Sequence, residues 1–152
     1  MEDSLLVALQ KAKHYCAYQE RCHSEARDKL YSFGLHRNEV EPLLTQLIEE
    51  GFLNEERFAI AYAGGKFKLK NWGKEKIKYA LKQKHVSDYC IRKALAAISN
   101  TDYNKTFNSL ADKKLATLKS EKNIFIKKRK IKDYLQQKGF EIKMINDYLK
   151  AL

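Results

Sequence analysis

Residues 26–47 read ARDKLYSFGLHRNEVEPLLTQL, residues 77–98 read IKYALKQKHVSDYCIRKALAAI, and residues 131–152 read IKDYLQQKGFEIKMINDYLKAL. Shifted by 51 and then 54 residues, the three stretches agree at the positions that build a core. Ala26, Ile77 and Ile131 open the match, and Leu30, Leu81 and Leu135 follow one helical turn later. Next come Gly34, His85 and Gly139, then Leu35, Val86 and Phe140. Val40, Ile91 and Ile145 stand together, as do Leu44, Leu95 and Leu149, with Leu47, Ile98 and Leu152 at the end. Self-similarity at a fixed period near 50 residues is the mark of a helical repeat array.

Each copy reads as helix, tight turn, helix. The apolar residues before the glycine position recur at helical spacing, and those after it mark a second buried stripe. Gly34 and Gly139 suit the left-handed residue that ends a helix, and His85 is among the types that tolerate that backbone region. Ser87 before Asp88 reads as an N-cap with an acid in the first turn. Pro42 falls within or just after the first turn of its helix, where the missing N–H costs least. A further helix precedes each pair. The first spans about 4–17, with Leu5, Leu9, Ala12 and Cys16 on one face. The second starts at Asn54-Glu55-Glu56 and runs to about Lys70, with Phe58, Tyr62 and Leu69 on its stripe. The third starts at Thr101-Asp102 and reaches about Lys119, with Phe107, Leu110 and Leu118 apolar. The expectation is an all-α protein of three tandem three-helix repeats, 1–52, 53–100 and 101–152, forming an elongated, curved array. Residues 119–123 are the expected hinge between parts.

Composition agrees with helices. Of 152 residues 44% are hydrophobic, with one proline and six glycines, so the chain can bury a core. No apolar run approaches the roughly 18 residues that span a membrane. The start, MEDSLLVALQ, has two acids and no basic region, unlike a secretory leader. Three cysteines, Cys16, Cys22 and Cys90, are too few for a disulfide framework, and a reduced, cytoplasmic protein is expected, with the triple repeat pointing to a monomer. The net charge of +11 is unevenly placed: residues 1–63 hold 7 Lys/Arg and 11 Asp/Glu, and residues 64–152 hold 23 and 8. An asymmetry of this size points to a polyanionic partner at the basic end.

Two segments concentrate the cations. Lys66-Phe67-Lys68-Leu69-Lys70-Asn71-Trp72-Gly73-Lys74-Glu75-Lys76 places Lys66, Lys70 and Lys74 four apart, on one face if the helix continues. Phe67 and Trp72 between them read mainly as core, with Trp72 also a candidate for base stacking. Lys127, Lys128, Arg129, Lys130 and Lys132 form the second segment. Four successive cations go most of the way round a helix, so some face solvent in any fold and can meet phosphates or an acidic protein groove. The site expected for DNA or another polyanionic partner is thus Lys66, Lys70, Lys74, Lys76, Lys127, Lys128, Arg129, Lys130 and Lys132.

Other chemistries find little support. Glu39, Glu41, Glu49, Glu50, Glu55 and Glu56 sit where acids cap helices and keep a surface solvated. His14, Cys16, Cys22 and His23 lack a usual zinc spacing. No nucleophile elbow and no Gly-x4-Gly-Lys-Ser/Thr loop occurs, so neither an enzyme nor a cofactor is expected.

Three stretches make the chain similar to the RecX family. Arg21-Cys22-His23-Ser24-Glu25-Ala26-Arg27-Asp28-Lys29-Leu30 resembles that family's Arg-x-x-Ser-x-x-Glu-Leu-x-x-Lys-Leu region. Gly51-Phe52-Leu53-Asn54-Glu55-Glu56-Arg57-Phe58-Ala59 is similar to another, with Asn54-Glu55 in place of Asp-Asp. Trp72-Gly73-Lys74 through Ile77, Leu81 and Lys84 resembles a third, with His85 for its usual glycine, and Lys138-Gly139-Phe140 carries the likeness into the last repeat. The resemblance implies a non-catalytic regulator in DNA repair, homologous recombination and the SOS response. Such a protein binds the RecA filament in its helical groove, suppresses RecA ATPase and strand exchange, and in some members touches single- or double-stranded DNA. The alternative from the residues is a DNA-binding regulator built on a helix-turn-helix without RecA.

Overall fold

The structure is a computed structural model and describes residues 2–152. Among these residues it consists of helices and connections, with no strand: α1 (Glu2–Tyr18), α2 (His23–Ser32), α3 (Arg37–Glu49), α4 (Glu55–Lys70), α5 (Lys74–Gln83), α6 (Asp88–Ala96), α7 (Asn100–Thr117), α8 (Ile124–Lys138) and α9 (Ile142–Lys150). Taken in threes, these are the copies of one three-helix repeat.

The helix ends follow local chemistry. Asn54 accepts the Arg57 N–H at 2.9 Å and Ser87 accepts the Cys90 N–H at 3.2 Å, so side-chain oxygens satisfy amides that a helix start leaves bare. The third repeat begins one residue earlier than Thr101-Asp102 implied, because Ser99 accepts the Asp102 N–H and so becomes the cap of α7. Gly34, His85 and Gly139 all adopt positive φ, at 82°, 62° and 98°. The turn therefore recurs in the same backbone conformation, and His85 bears the left-handed strain that glycine avoids.

Burial confirms most of the repeat stripe. Leu30, Leu81, Leu135, Ile77, Ile131, Val40 and Ile145 are completely enclosed, and Ala26 and Ile91 nearly so. Each large aliphatic side chain taken fully out of water is worth about 1.5–3 kcal/mol, so these positions hold the fold together. Leu152 departs from the stripe and is exposed, because α9 has already ended at Lys150. Leu69 is also exposed, at 82%, and Phe67 takes its place in the core beside Ala63 and Ala59. The spacing from Phe58 through Tyr62 had placed the stripe of α4 slightly out of phase.

The helices gather into two compact units, Met1–Tyr62 with Leu81–Ala94, and Ala63–Ala80 with Leu95–Leu152. The middle repeat is divided: α4 gives its first half to the first unit and its second half to the second, and α5 gives residues 74–80 to the second unit and 81–83 to the first. Residues 119–123, the expected hinge, lie inside the second unit, between the packed helices α7 and α8.

The division of α5 has a structural cause. In the second unit its start docks on the end of α8: Gly73 N–H donates to the Lys138 carbonyl at 2.8 Å and Glu75 N–H to the Gly139 carbonyl at 2.9 Å. Lys74 N–H between them donates to the Tyr103 hydroxyl at 2.9 Å. The first amides of α5 are thus capped by the following repeat instead of by a neighbouring side chain. The approach is backbone to backbone. A Cβ on Gly73 would stand 2.3 Å from the Gly139 carbonyl carbon, and one on Gly139 would stand 2.2 Å from the Lys76 Cβ. In the first unit the start of α2 meets the end of α5 in the equivalent way. Ser24 Oγ donates to the Lys84 carbonyl at 2.8 Å, and Glu25 accepts from Cys22 N–H at 3.0 Å and Lys84 Nζ at 3.3 Å. Burial alone would raise the Glu25 carboxyl, but these two donors outweigh it and hold the group below the usual carboxylate range.

Replacing Leu30, Leu81 or Leu135 singly by Ala is expected to cost about 2–5 kcal/mol in denaturant titration, and equally so in kind across the repeats. The glycines should split by environment. Gly73→Ala forces backbone apart and should destabilise by at least about 1–3 kcal/mol. Gly65→Ala, in the middle of α4 with open space around its Cβ, should stabilise by about 0.5–1 kcal/mol.

Candidate polyanion-binding surface

All nine cations and the tryptophan singled out from the sequence fall in the second unit. They do not share the single helical face that their spacing suggested. α4 ends at Lys70 because Asn71 turns left-handed, at φ 57°, with Asn71 N–H on the Phe67 carbonyl and Trp72 N–H on the Lys66 carbonyl. The four-residue spacing of Lys66, Lys70 and Lys74 therefore does not run along one continuous helix. Lys70 stays on the exposed last turn of α4.

What the turn does instead is bring Lys66 and Lys76 to Trp72. Their ammonium nitrogens lie 4.9 and 4.7 Å from its ring, within the range of cation–π attraction. Lys74 Nζ lies 4.8 Å from the Tyr103 ring, and Lys76 Nζ also reaches the Gln137 carbonyl at 3.4 Å. Trp72 is half-buried, and its indole is a support for the two lysines. Phe67 is fully in the core, as its spacing implied.

Beneath this cluster runs a line of aromatic contacts. Phe67 meets Tyr103 at 5.7 Å, Tyr103 meets Phe140 at 5.3 Å, and Phe140 meets Phe107 at 5.3 Å. Tyr103 is the residue that sequence reasoning missed. It accepts the Lys74 amide and donates to the Glu141 carboxylate, linking α7 to the starts of α5 and α9. Its spacing of four from Phe107 and eight from Ala111 was the available signal. Burial, followed by the hydrogen bond to Glu141, raises its phenol far above the usual tyrosine range. Burial and the bond to Asp112 push Tyr148 up to about 12.

The second basic segment occupies the first half of α8. Ile131 and Leu135 point into the core, Arg129 and Lys130 are exposed, and Lys127, Lys128 and Lys132 are half-exposed. Among the described residues no ion pair joins any of these five cations to a carboxylate. The first unit differs. There Lys13 pairs with Glu50, Arg27 with Glu41, Arg57 with Glu20, Lys84 with Glu25, and His23 contacts Glu55. Acids of that unit cap helices, as Glu25 and Glu39 do, and pair with four of its Lys/Arg side chains. Cys16 and Cys22 are buried thiols whose ionisation burial opposes.

These features define a class: a tandem three-helix-repeat protein with a near-neutral, internally paired first unit and a basic second one. Residues 54–95 match the family model of the second three-helix domain of RecX, and residues 101–149 that of the third. Over 152 residues the chain is 30% identical to Regulatory protein RecX of Clostridium perfringens (strain 13 / Type A), covering 99% of this chain and 71% of that protein. Against Regulatory protein RecX of Bacillus licheniformis it is 29% identical over 146 residues, or 95% of this chain and 54% of that one. The crystal structure of RecX from Lactobacillus salivarius superposes with a TM-score of 0.88 at 27% identity, covering 100% of this chain and 98% of that one. The chain belongs to the RecX family of regulatory proteins. Among the described residues no helix is long and apolar enough to cross a membrane.

The tyrosines give a pH prediction with a definite sign. Their folded-state pKa values lie above the unfolded value of 10.0, so their contribution to stability is complete below pH 10. It is lost as pH rises through the folded values. Urea titrations between pH 9 and 11.5 should show stability falling, and the fall should be shallower in Tyr103→Phe and Tyr148→Phe than in the parent.

Proposed function

We propose that this protein binds RecA nucleoprotein filaments as a cytoplasmic monomer and lowers RecA ATPase and strand exchange. The observation that carries the reading is the run of cations on α8 that the fold leaves without carboxylate partners, in a member of a family of regulatory proteins. Unpaired cations of this density are costly to hold together and gain most from a polyanion, which exchanges their repulsion for released counterions. Lys66, Lys74 and Lys76, held on aromatic faces, extend the same surface, and Lys70 adds to it. Trp72 stacks on a base only where its two lysines move aside. Regulation by occupancy, with no reaction of its own, is the role this site supports.

The test is co-sedimentation with preformed RecA filaments on single-stranded DNA, against DNA alone and RecA alone, with RecA ATPase followed in parallel. Retention in the filament pellet and a falling ATPase rate are expected. Changing Lys127, Lys128, Arg129 and Lys130 together to Gln should weaken retention while leaving the helical circular dichroism unchanged. Where DNA is contacted, log affinity falls linearly with log salt, and the quadruple change should flatten that slope by about 0.7 for each residue on a phosphate of a single strand. Undiminished filament binding by the folded quadruple variant, combined with Lys66, Lys70 and Lys74 to Gln, would remove these cations from the interface. Selection of one DNA sequence without RecA would instead support a sequence-reading regulator.

A further inference from the structure

The three repeats differ most at the start of their second helix. Under the alignment of Leu30, Leu81 and Leu135, the first residues of α2 and α5, His23 and Lys74, correspond to Lys128. α8 begins earlier, at Ile124, and so carries one additional turn: Ile124, Phe125, Ile126 and Lys127. Asn123 fixes that turn, its Oδ1 accepting the Phe125 N–H at 2.9 Å and the Ile126 N–H at 3.3 Å. No acid lies in this first turn.

In the first two repeats the corresponding place is a docking point. Cys22 and Gly73 stand where Lys127 stands, and their helices rest on the turn of the next repeat. In the third repeat the place is open, and what it displays is unusual. Phe125 is 81% exposed and Ile124 42%. The aligned residues in the other copies are Glu20 and Asn71, so the repeat itself does not require an apolar side chain there. Three and four residues on, Lys128 and Arg129 share the face of Phe125, and Lys132 continues it.

We propose that Phe125 is a base-stacking residue: an unpaired base of a single-stranded nucleic acid packs on its ring while Lys128 and Arg129 hold the flanking phosphates. A ring offered to water on a rigid turn, ringed by unpaired cations, has the two elements that sequence-tolerant single-strand binders combine. A purely apolar protein contact would not call for the cations, and phosphate contact alone would not call for the ring. The inference rests on the proposed binding of a nucleoprotein filament and names the nucleic acid strand as what this end of α8 touches.

The test compares Phe125→Ala, Phe125→Leu and Phe125→Tyr for binding to a fluorescent oligothymidylate and to a duplex of equal length, at several salt concentrations. Circular dichroism melts first establish that these exposed substitutions leave the fold intact. Ala and Leu should weaken single-strand binding by about 5- to 150-fold, the loss of one base–aromatic stack, while Tyr stays close to the parent. Duplex binding should not change, because its bases are already stacked. The salt slope should stay that of the parent in all three, since no phosphate contact is lost, whereas Lys128→Gln with Arg129→Gln should flatten it. The proposal is overturned if Phe125→Ala binds the single strand as the parent does, if Leu substitutes fully for Phe, or if the parent binds no single strand. Reduced filament retention by Phe125→Ala with unchanged binding to the bare strand also overturns it, assigning Phe125 to a protein contact and leaving the filament reading standing. Weakened strand binding in a protein that ignores filaments keeps the stacking role and removes the filament reading.

Discussion

The meeting of Gly73 with Gly139 is the constraint on which the second unit depends. A helix start has amides to satisfy, and α5 satisfies its own on the carbonyls of Lys138 and Gly139 and on the Tyr103 hydroxyl. That solution demands two glycines in register, from residues far apart in sequence, because any Cβ at either position would fall inside the van der Waals radius of the other chain segment. It also places Trp72 and Lys74 at the surface next to Lys76. The cationic cluster is therefore a by-product of how two repeats are joined. The first unit reaches the same joint by other means, with a serine hydroxyl and a glutamate in place of bare backbone, and there Cys22 is accommodated where Gly73 is obligatory.

Charge follows this division of labour. The first unit spends its carboxylates on caps and ion pairs, which are individually worth little at the surface but leave no net field of one sign. Among the described residues the basic side chains of α8 have no such partners. Like charge gathered in this way opposes the compact state through self-repulsion and contributes nothing to holding the fold together.

Much of the architecture could be read from local pattern. The three copies of Leu30, the turn at Gly34, the caps at Asn54 and Ser87 and the left-handed His85 are all decided by residues within one or two turns of each other. Structure and local pattern part where that locality ends. Leu69 was placed inside because a stripe of Phe58 and Tyr62 extrapolates to it, whereas small Ala59 and Ala63 let the buried face drift toward Phe67. Lys66, Lys70 and Lys74 were given one face because nothing nearby announces that Asn71 will turn left-handed. The role of Tyr103 depends on Lys74 and Glu141, 29 and 38 residues away, and no periodicity encodes that. Phe125 was invisible for the opposite reason: its spacing is apolar and helical, and only its exposure sets it apart.

The additional turn of α8 also bears on how such a chain can grow. Tandem repeats arise by duplication, and each new copy must offer the same joint to the next. The third copy presents that joint differently: Lys127 occupies the position of Gly73, and a full turn of helix, Ile124 to Lys127, stands in front of the place where the second copy receives a docked turn. A turn brought to that place would meet Phe125 and the additional turn of α8 before it reached the Lys127 backbone, so the joint of the second copy cannot be repeated there unchanged.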